Sequence, residues 1–289
     1  MLPGEWTVNP YRGCTHACSY CYARPTHDYL GLGMTEDFEN EIIVKTNIVE
    51  VLRRELKRKK DAPPRVSLGT STDPYQRAEG RYSLMPGIIQ ALGDARIPFS
   101  ILTKGTLIRR DLALLASVNE TTRVEPGLSI SLVDDQLQRS LEPGTPSTAA
   151  RLQTVSDIRS AGLDCTVFVA PILPILGDRP EQLEAMVRSI ADAGATSVLY
   201  TSLFLPPKVK PGFFQWLGRY APDLVPEYRR LYAGGANLPG DYSGRLRAHM
   251  RDLLEKYGLP LSQSATGRKF GLQGAQKPAA GEAAQPTLF

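Results

Sequence analysis

The chain has 289 residues, 42% hydrophobic and 22% charged, with a net charge of +4. That composition suits a globular protein with a sizeable core and excludes a disordered polymer. No run of eighteen apolar residues occurs, so no membrane span is expected, and so mild a basic excess permits a nucleic-acid partner without pointing to one.

In chain order, residues 6–9 read as a first strand. The loop Gly13-Cys14-Thr15-His16-Ala17-Cys18-Ser19-Tyr20-Cys21-Tyr22 follows at once. With the loop this early, no secretory leader is expected, and the cytoplasm with its reduced thiols is the expected location. Residues 47–60 read as a helix, with Ile48, Val49, Val51, Leu52 and Leu56 at helical spacing. The basic run on that helix, from Arg53 to Lys60, reads as a solvated face. There follow a strand at 65–69, a helix at 84–95, a strand at 99–103, a helix at 107–118 and a strand at 127–132. A helix at 147–161 has Ser147 as its N-cap. A strand at 165–170, a helix at 180–193 and a strand at 197–204 complete the series.

Strand-then-helix repetition predicts parallel strands with right-handed crossovers, covered on both faces. The fold class is α/β. A complete eight-unit barrel takes about 250 residues, so a partial (β/α)6 TIM-like barrel fits the available length, with a doubly wound sheet as the alternative. In both, ligands bind at the C-terminal ends of the strands. The organisation so read is a core at 1–206, a C-terminal helical extension at 207–262 and a flexible tail at 263–289. The extension has helical segments near 213–220, 223–232 and 242–257, packed over the barrel opening or its side.

Three of the four cysteines crowd into the first loop, which is no disulfide framework. Cys14, Cys18 and Cys21 suffice for three irons of a four-iron, four-sulfur cluster, leaving the fourth iron without a protein ligand. Electron-transfer clusters close all four corners; an open iron binds a cofactor or substrate. Zinc, with His16 as fourth ligand, is the rival. Against it, no second ligand pair follows, and His16 is hemmed between Cys14 and Cys18.

The spacing Cys14-x-x-x-Cys18-x-x-Cys21, with Tyr20 before the last cysteine, resembles the signature of the radical S-adenosylmethionine enzymes. Thr70-Ser71-Thr72-Asp73-Pro74-Tyr75-Gln76, Leu102-Thr103-Lys104-Gly105 and Glu142-Pro143-Gly144-Thr145-Pro146-Ser147 resemble the spore photoproduct lyase relatives, a DNA repair photolyase-like group. The resemblance implies a [4Fe-4S] cluster on Cys14, Cys18 and Cys21, S-adenosyl-L-methionine on the open iron, and a reductant such as flavodoxin or ferredoxin. It implies a 5′-deoxyadenosyl radical and lyase-like chemistry on nucleic acid. Radical modification of RNA, a peptide or a metabolite is an alternative, and a non-catalytic zinc-binding interaction protein is another.

By the same resemblance Tyr20 lies beside the adenine, and Ser71 and Asp73 serve the methionine end or the ribose. Asp73 alternatively is a turn residue before Pro74. Lys104 pairs with a carboxylate or is solvated. Ser129 shares an inward strand face with Ser131, where it suits the ribose hydroxyls, or lies at an exposed edge. Arg151 holds the cofactor carboxylate or lies on a helix surface, and Ala170, Pro171 and Ile172 lie against the adenine. Cys165, at a strand start, reads as a buried structural thiol. The lyase's further donor cysteine therefore has no counterpart, and reversal of the spore photoproduct by the same route is not expected. Tyr75 and Tyr82 read as packing residues, with a hydrogen-atom relay as the alternative, and His27 and His249 belong to no constellation. The terminal Gln285-Pro286-Thr287-Leu288-Phe289 resembles the short peptide by which bacterial repair and replication proteins dock on the sliding clamp, with an inert tail as the alternative.

Overall fold

The computed structural model describes residues 6–58 and 63–262. Its first part comprises β1 (Trp6–Val8), β2 (Tyr11–Arg12), a 3-10 segment (Arg24–Leu30), α1 (Glu36–Asn40), β3 (Ile43–Val44) and α2 (Ile48–Arg58). Then come β4 (Val66–Leu68), α3 (Arg77–Tyr82), α4 (Leu84–Asp94), β5 (Phe99–Thr103), a 3-10 segment (Thr106–Asp111) and α5 (Leu112–Asn119). The series continues with β6 (Val124–Ser129), α6 (Asp135–Leu141), α7 (Thr148–Ser160), β7 (Thr166–Ile172), α8 (Pro180–Asp192) and β8 (Ser197–Ser202). After it stand α9 (Lys210–Tyr220), α10 (Val225–Leu231) and α11 (Gly240–Lys256).

Six strands form one parallel sheet in the order β1-β4-β5-β6-β7-β8, each new strand adding beside the one before. This is the open six-unit arc that the alternation predicts. At one margin, Val198 donates to Pro260 O (3.0 Å) and Ser262 donates to Val198 O (2.8 Å), so the chain after α11 covers the edge of β8. At the other margin, β1 pairs among the described residues with β4 alone.

The main core joins the sheet's outer face to the surrounding helices through Leu68, Ile88, Leu92, Phe99, Ile101, Val155, Val167 and Val187, all essentially inaccessible. Buried Glu79 accepts from the amides of Leu84 and Met85, both at 3.0 Å, filling the free donors of the first turn of α4, and Arg110 neutralises it at 2.7 Å. A second apolar cluster gathers Phe213, Trp216 and Tyr228 from α9 and α10 with Leu141, Leu203, Cys18 and Tyr20, so these two helices pack beside the cysteine loop. Helix α11 instead packs against α8 at the side of the arc, through Leu246, Met250 and Leu253 in the main core. No described helix is long and apolar enough to cross a membrane.

The sequence places the fourth barrel strand at 127–132, whereas it runs over Val124–Ser129. Pro126 and Gly127 both sit inside the strand and are buried, so packing outweighs their poor strand preference. Ser131 therefore lies beyond the strand, its buried hydroxyl without a hydrogen-bond partner among the described residues. The pairing of β2 with β3, and α1, α3 and α6, are additions that the sequence reading lacks; elements of two to seven residues leave too short a pattern. The tail at 263–289, including the clamp-like peptide at 285–289, lies outside the described residues.

Candidate active site

The cysteine loop leaves β2 through Gly13, whose φ of +80° suits glycine, and where a Cβ would stand 2.9 Å from Phe38 O. The loop is fixed by bonds from several elements. Thr72 Oγ1 and Gln76 Nε2 donate to Gly13 O at 2.6 and 3.1 Å, and Thr15 N donates to Gln76 Oε1 at 3.0 Å. Arg24 gives Cys18 O two donors, Nε at 3.1 Å and Nη2 at 3.0 Å. On the other side Ser19 N donates to Leu141 O and Gly144 N to His16 O. Gly144 is required there, since a Cβ would lie 1.9 Å from Thr15 O. Loop position is thus set by the segments after β4 and after α6.

The loop and the ends of β4, β5, β6, β7 and β8 enclose a cavity of about 220 Å³. Cys14, Cys18 and Cys21 line it together with Tyr20, Ser71, Asp73, Lys104, Ser129, Ala170 and Pro171. Two residues named from the sequence lie elsewhere. Ile172 is buried in the sheet opposite Ser202. Arg151 is not on a helix surface and does not line the cavity: it is 1% exposed, with Nη1 on Ser129 O and Nη2 on Glu142, both at 2.9 Å. From behind, it braces one wall residue and one carboxylate.

That carboxylate also accepts the hydroxyl of Tyr20, which orients the ring against the loop. The Lys104 ammonium sits 5.7 Å from the centre of the same ring. Burial works to lower Lys104, but Cys18 and Glu142 outweigh it and hold the ammonium above its ordinary value. Burial pushes the Cys18 and Cys21 thiols up, with Lys104 opposing it at both.

Asp73 is fully engaged. One oxygen accepts from Tyr75 N (2.8 Å) and Thr103 Oγ1 (2.5 Å), the other from Lys104 N (2.7 Å), and it faces His16 Nδ1 at 3.3 Å. Burial alone would raise this carboxyl, but His16 and the hydrogen bonds bring it down to about 2. Burial likewise opposes charge on His16, and Asp73 overrides it, raising the imidazole to about 10. The Asp73 carboxylate thus joins the ends of β4 and β5 to the cysteine loop, and it combines the turn role with a place on the cavity wall.

The donor set bears on which group it suits. Among the described residues no three His, Cys, Asp or Glu side chains converge on a single metal ion. His16 turns its Nδ1 to Asp73 at 3.3 Å. Three thiols spread around one cavity suit a cluster, where each thiolate meets its own iron.

Glu142 and Gln76 are the residues that sequence reasoning passed over. Both lie in segments quoted for their resemblance, but neither position shows its partner without the fold: Arg151 is nine residues from Glu142, and Gly13 is far upstream of Gln76. Cys165 is wholly buried and away from the cavity, and burial pushes its thiol up to about 12. Tyr75 is buried with its hydroxyl on Asp111 at 3.0 Å.

A family model described as the Radical SAM superfamily matches residues 8–201. An uncharacterized protein, Rv2578c, of Mycobacterium tuberculosis (strain ATCC 25618 / H37Rv) is 50% identical over 258 residues, which is 89% of this chain and 76% of that protein. Among solved structures, a spore photoproduct lyase mutant with bound AdoMet and dinucleoside spore photoproduct superposes with a TM-score of 0.66 at 18% identity, covering 87% of this chain and 73% of that one. Streptococcus suis SuiB bound to precursor peptide SuiA has a TM-score of 0.57 at 16% identity, covering 90% of this chain and 48% of that one. At these identities the structural likeness concerns the fold. The cysteine loop, the six-strand parallel arc and the family match together place the chain in the radical S-adenosylmethionine superfamily, whose members work with a [4Fe-4S] cluster and S-adenosylmethionine.

Proposed function

We propose that the protein is a radical S-adenosylmethionine enzyme acting on nucleic acid, with lyase-like DNA repair chemistry. The observation that carries the cofactor reading is the meeting of Cys14, Cys18 and Cys21 with Tyr20, Ser71, Lys104, Ser129, Ala170 and Pro171 around one cavity at the strand ends. The three thiolates would hold the cluster, and the polar wall residues would hold S-adenosylmethionine. When bound, these groups supply reductive cleavage of a carbon–sulfur bond and a 5′-deoxyadenosyl radical that abstracts hydrogen from the substrate.

The protein's share is placement. Glu142 fixes the Tyr20 ring, and Arg151 fixes Glu142. Asp73 and Gln76 hold the cysteine loop against the ends of β4 and β5. Ser129 Oγ, on Ala170 O at 3.2 Å, joins the walls formed by β6 and β7. Lys104 faces the buried thiols with positive charge and favours their thiolate forms, which is the state a cluster needs.

The nucleic-acid assignment draws on the lyase neighbour, whose structure holds a dinucleoside photoproduct. A peptide substrate is the second reading, favoured by the likeness to SuiB with its precursor peptide. Anaerobically reconstituted protein, reduced with dithionite, tests the pair. Ultraviolet-irradiated DNA, undamaged DNA and RNA are each added, and 5′-deoxyadenosine is measured above the unstimulated rate. Stimulation by irradiated DNA supports the repair assignment; stimulation by RNA moves the substrate to RNA. A flat response to all three removes nucleic acid and leaves the peptide reading.

A further inference from the structure

A second cavity, of about 470 Å³, opens between β2, β3 and the start of α2, outside the active site. Arg12, Lys45 and Arg54 line it with Thr46 and Asn47, and Val8, Ile48 and Leu52 form apolar wall. Among the described residues no carboxylate lines it. Among the described residues, neither Arg12 nor Arg54 joins an ion pair. A neighbouring groove shares Thr46, Asn47 and Arg54, and continues along α2 past Arg53 and Lys57, with Glu50 as its acidic side chain.

Cations on a solvated helix face point apart into water. Here Arg12 and Lys45 are half-buried and converge with Arg54 on one concavity. Burial and the nearby Arg12 charge lower the Lys45 ammonium to about 8, as expected of like charges brought close in a partly dry site. An anion in the cavity relieves that repulsion. Guanidinium groups match phosphate with paired donors, and the concave shape suits a phosphodiester better than a flat protein face. The location fits too: Arg12 stands two residues before Cys14, so their Cα atoms are at most about 7 Å apart.

We propose that Arg12, Lys45 and Arg54 form a phosphate subsite that grips the backbone of the nucleic-acid substrate beside the active site, an inference that rests on the nucleic-acid reading above. The strand then leaves the active-site mouth, crosses the β2–β3 pair and follows α2.

The test is fluorescence anisotropy of the reconstituted full-length protein with a fluorescein-labelled single-stranded oligodeoxynucleotide, over a series of KCl concentrations. The variant R12A/R54A is expected to bind at least about tenfold more weakly. Its plot of log Kd against log salt is expected to be shallower by about 1.4, two phosphate contacts at about 0.7 each. R12K/R54K should recover most of that slope. Arg54→Glu, at an exposed helix position, repeats the measurement without touching the strand. If the wild type binds and the charge-removing variants match its affinity and slope, the subsite is overturned and the nucleic-acid reading stands. If the wild type binds no oligonucleotide, the reading fails and the subsite fails with it. If the variants bind normally but lose deoxyadenosine formation driven by reduced flavodoxin, and keep that driven by dithionite, the cavity docks an acidic electron donor and the phosphate assignment is wrong.

Discussion

Arg151 Nη2 lies 2.9 Å from Glu142 Oε2, with both side chains 1% exposed, and Tyr20 gives its hydroxyl to the other oxygen of that carboxylate. One buried charge pair therefore ties α7 to the cysteine loop. Removing a single partner strands the other in a dry site, at a cost of about 3–5 kcal/mol. Glu142→Ala is expected to lower the urea midpoint accordingly and to release the Tyr20 ring. Tyr20→Phe, which deletes one hydrogen bond to a charged acceptor, should cost about 1.5–3 kcal/mol. Equilibrium unfolding of the two variants beside wild type gives the comparison; equal midpoints for Glu142→Ala and wild type would refute the coupling.

Acid should act through Asp73. Its carboxyl is held at about 2, below the ordinary carboxylate value. The stability it contributes, roughly 2 kcal/mol, is fully present above pH ~4 and lost as pH falls through about 2. His16 runs the other way: held at about 10, it contributes fully below its ordinary value of about 6.5, and that contribution is lost as pH rises through its folded value. The pair is therefore at full strength between pH ~4 and ~6.5. Urea midpoints across pH should show Asp73→Asn losing most in that window and converging with wild type in strong acid.

The four thiols should separate by chemistry. Cys14→Ala, Cys18→Ala and Cys21→Ala are each expected to lose most of the about four irons and the matching sulfide that wild type takes up in anaerobic reconstitution. Cys165→Ala should keep both. One tightly held zinc per chain in place of iron would sink the cluster assignment.

Cys165 has its own signature. With its thiol at about 12, the thiolate fraction at pH 8 is about one part in ten thousand. Iodoacetamide at that pH should leave Cys165 unmodified in the native protein and alkylate it in urea, as read by peptide mass spectrometry. Rapid native labelling would contradict the burial.

Gly144 offers a steric test of how the loop is held. A methyl group there would meet Thr15 O at 1.9 Å, backbone against which no side chain can yield. Gly144→Ala should bind iron poorly although every cysteine is intact, while Gly212→Ala, where a Cβ meets nothing within 4 Å, should leave iron uptake unchanged.

The fold was largely legible in the sequence because each β/α unit repeats one pattern, and a repeated pattern predicts parallel order without knowledge of contacts. The cysteines were legible because their spacing is itself the signal. Arg151 shows where legibility ends. As a helix residue it could face a ligand, water or the interior, and only its bonds to Glu142 and Ser129 decide among these. Asp73 shows the same limit differently: a turn residue and a wall residue are one side chain here, since a carboxylate has two oxygens to spend. The fourth strand begins at Val124 rather than Gly127 because the ladder to Phe99 and Ile101 governs its extent.

The two margins of the sheet are finished unequally. The last strand is sealed by Pro260 to Ser262, whereas the first keeps its outer side without a strand neighbour among the described residues. A closed ring admits a ligand only end-on, down its axis. An arc with a seam also admits one from the flank, so a long polymer can be met at an interior position without an end being threaded. A nucleic acid, as proposed above, would then give the pocket one unit and keep its remaining length outside on both sides.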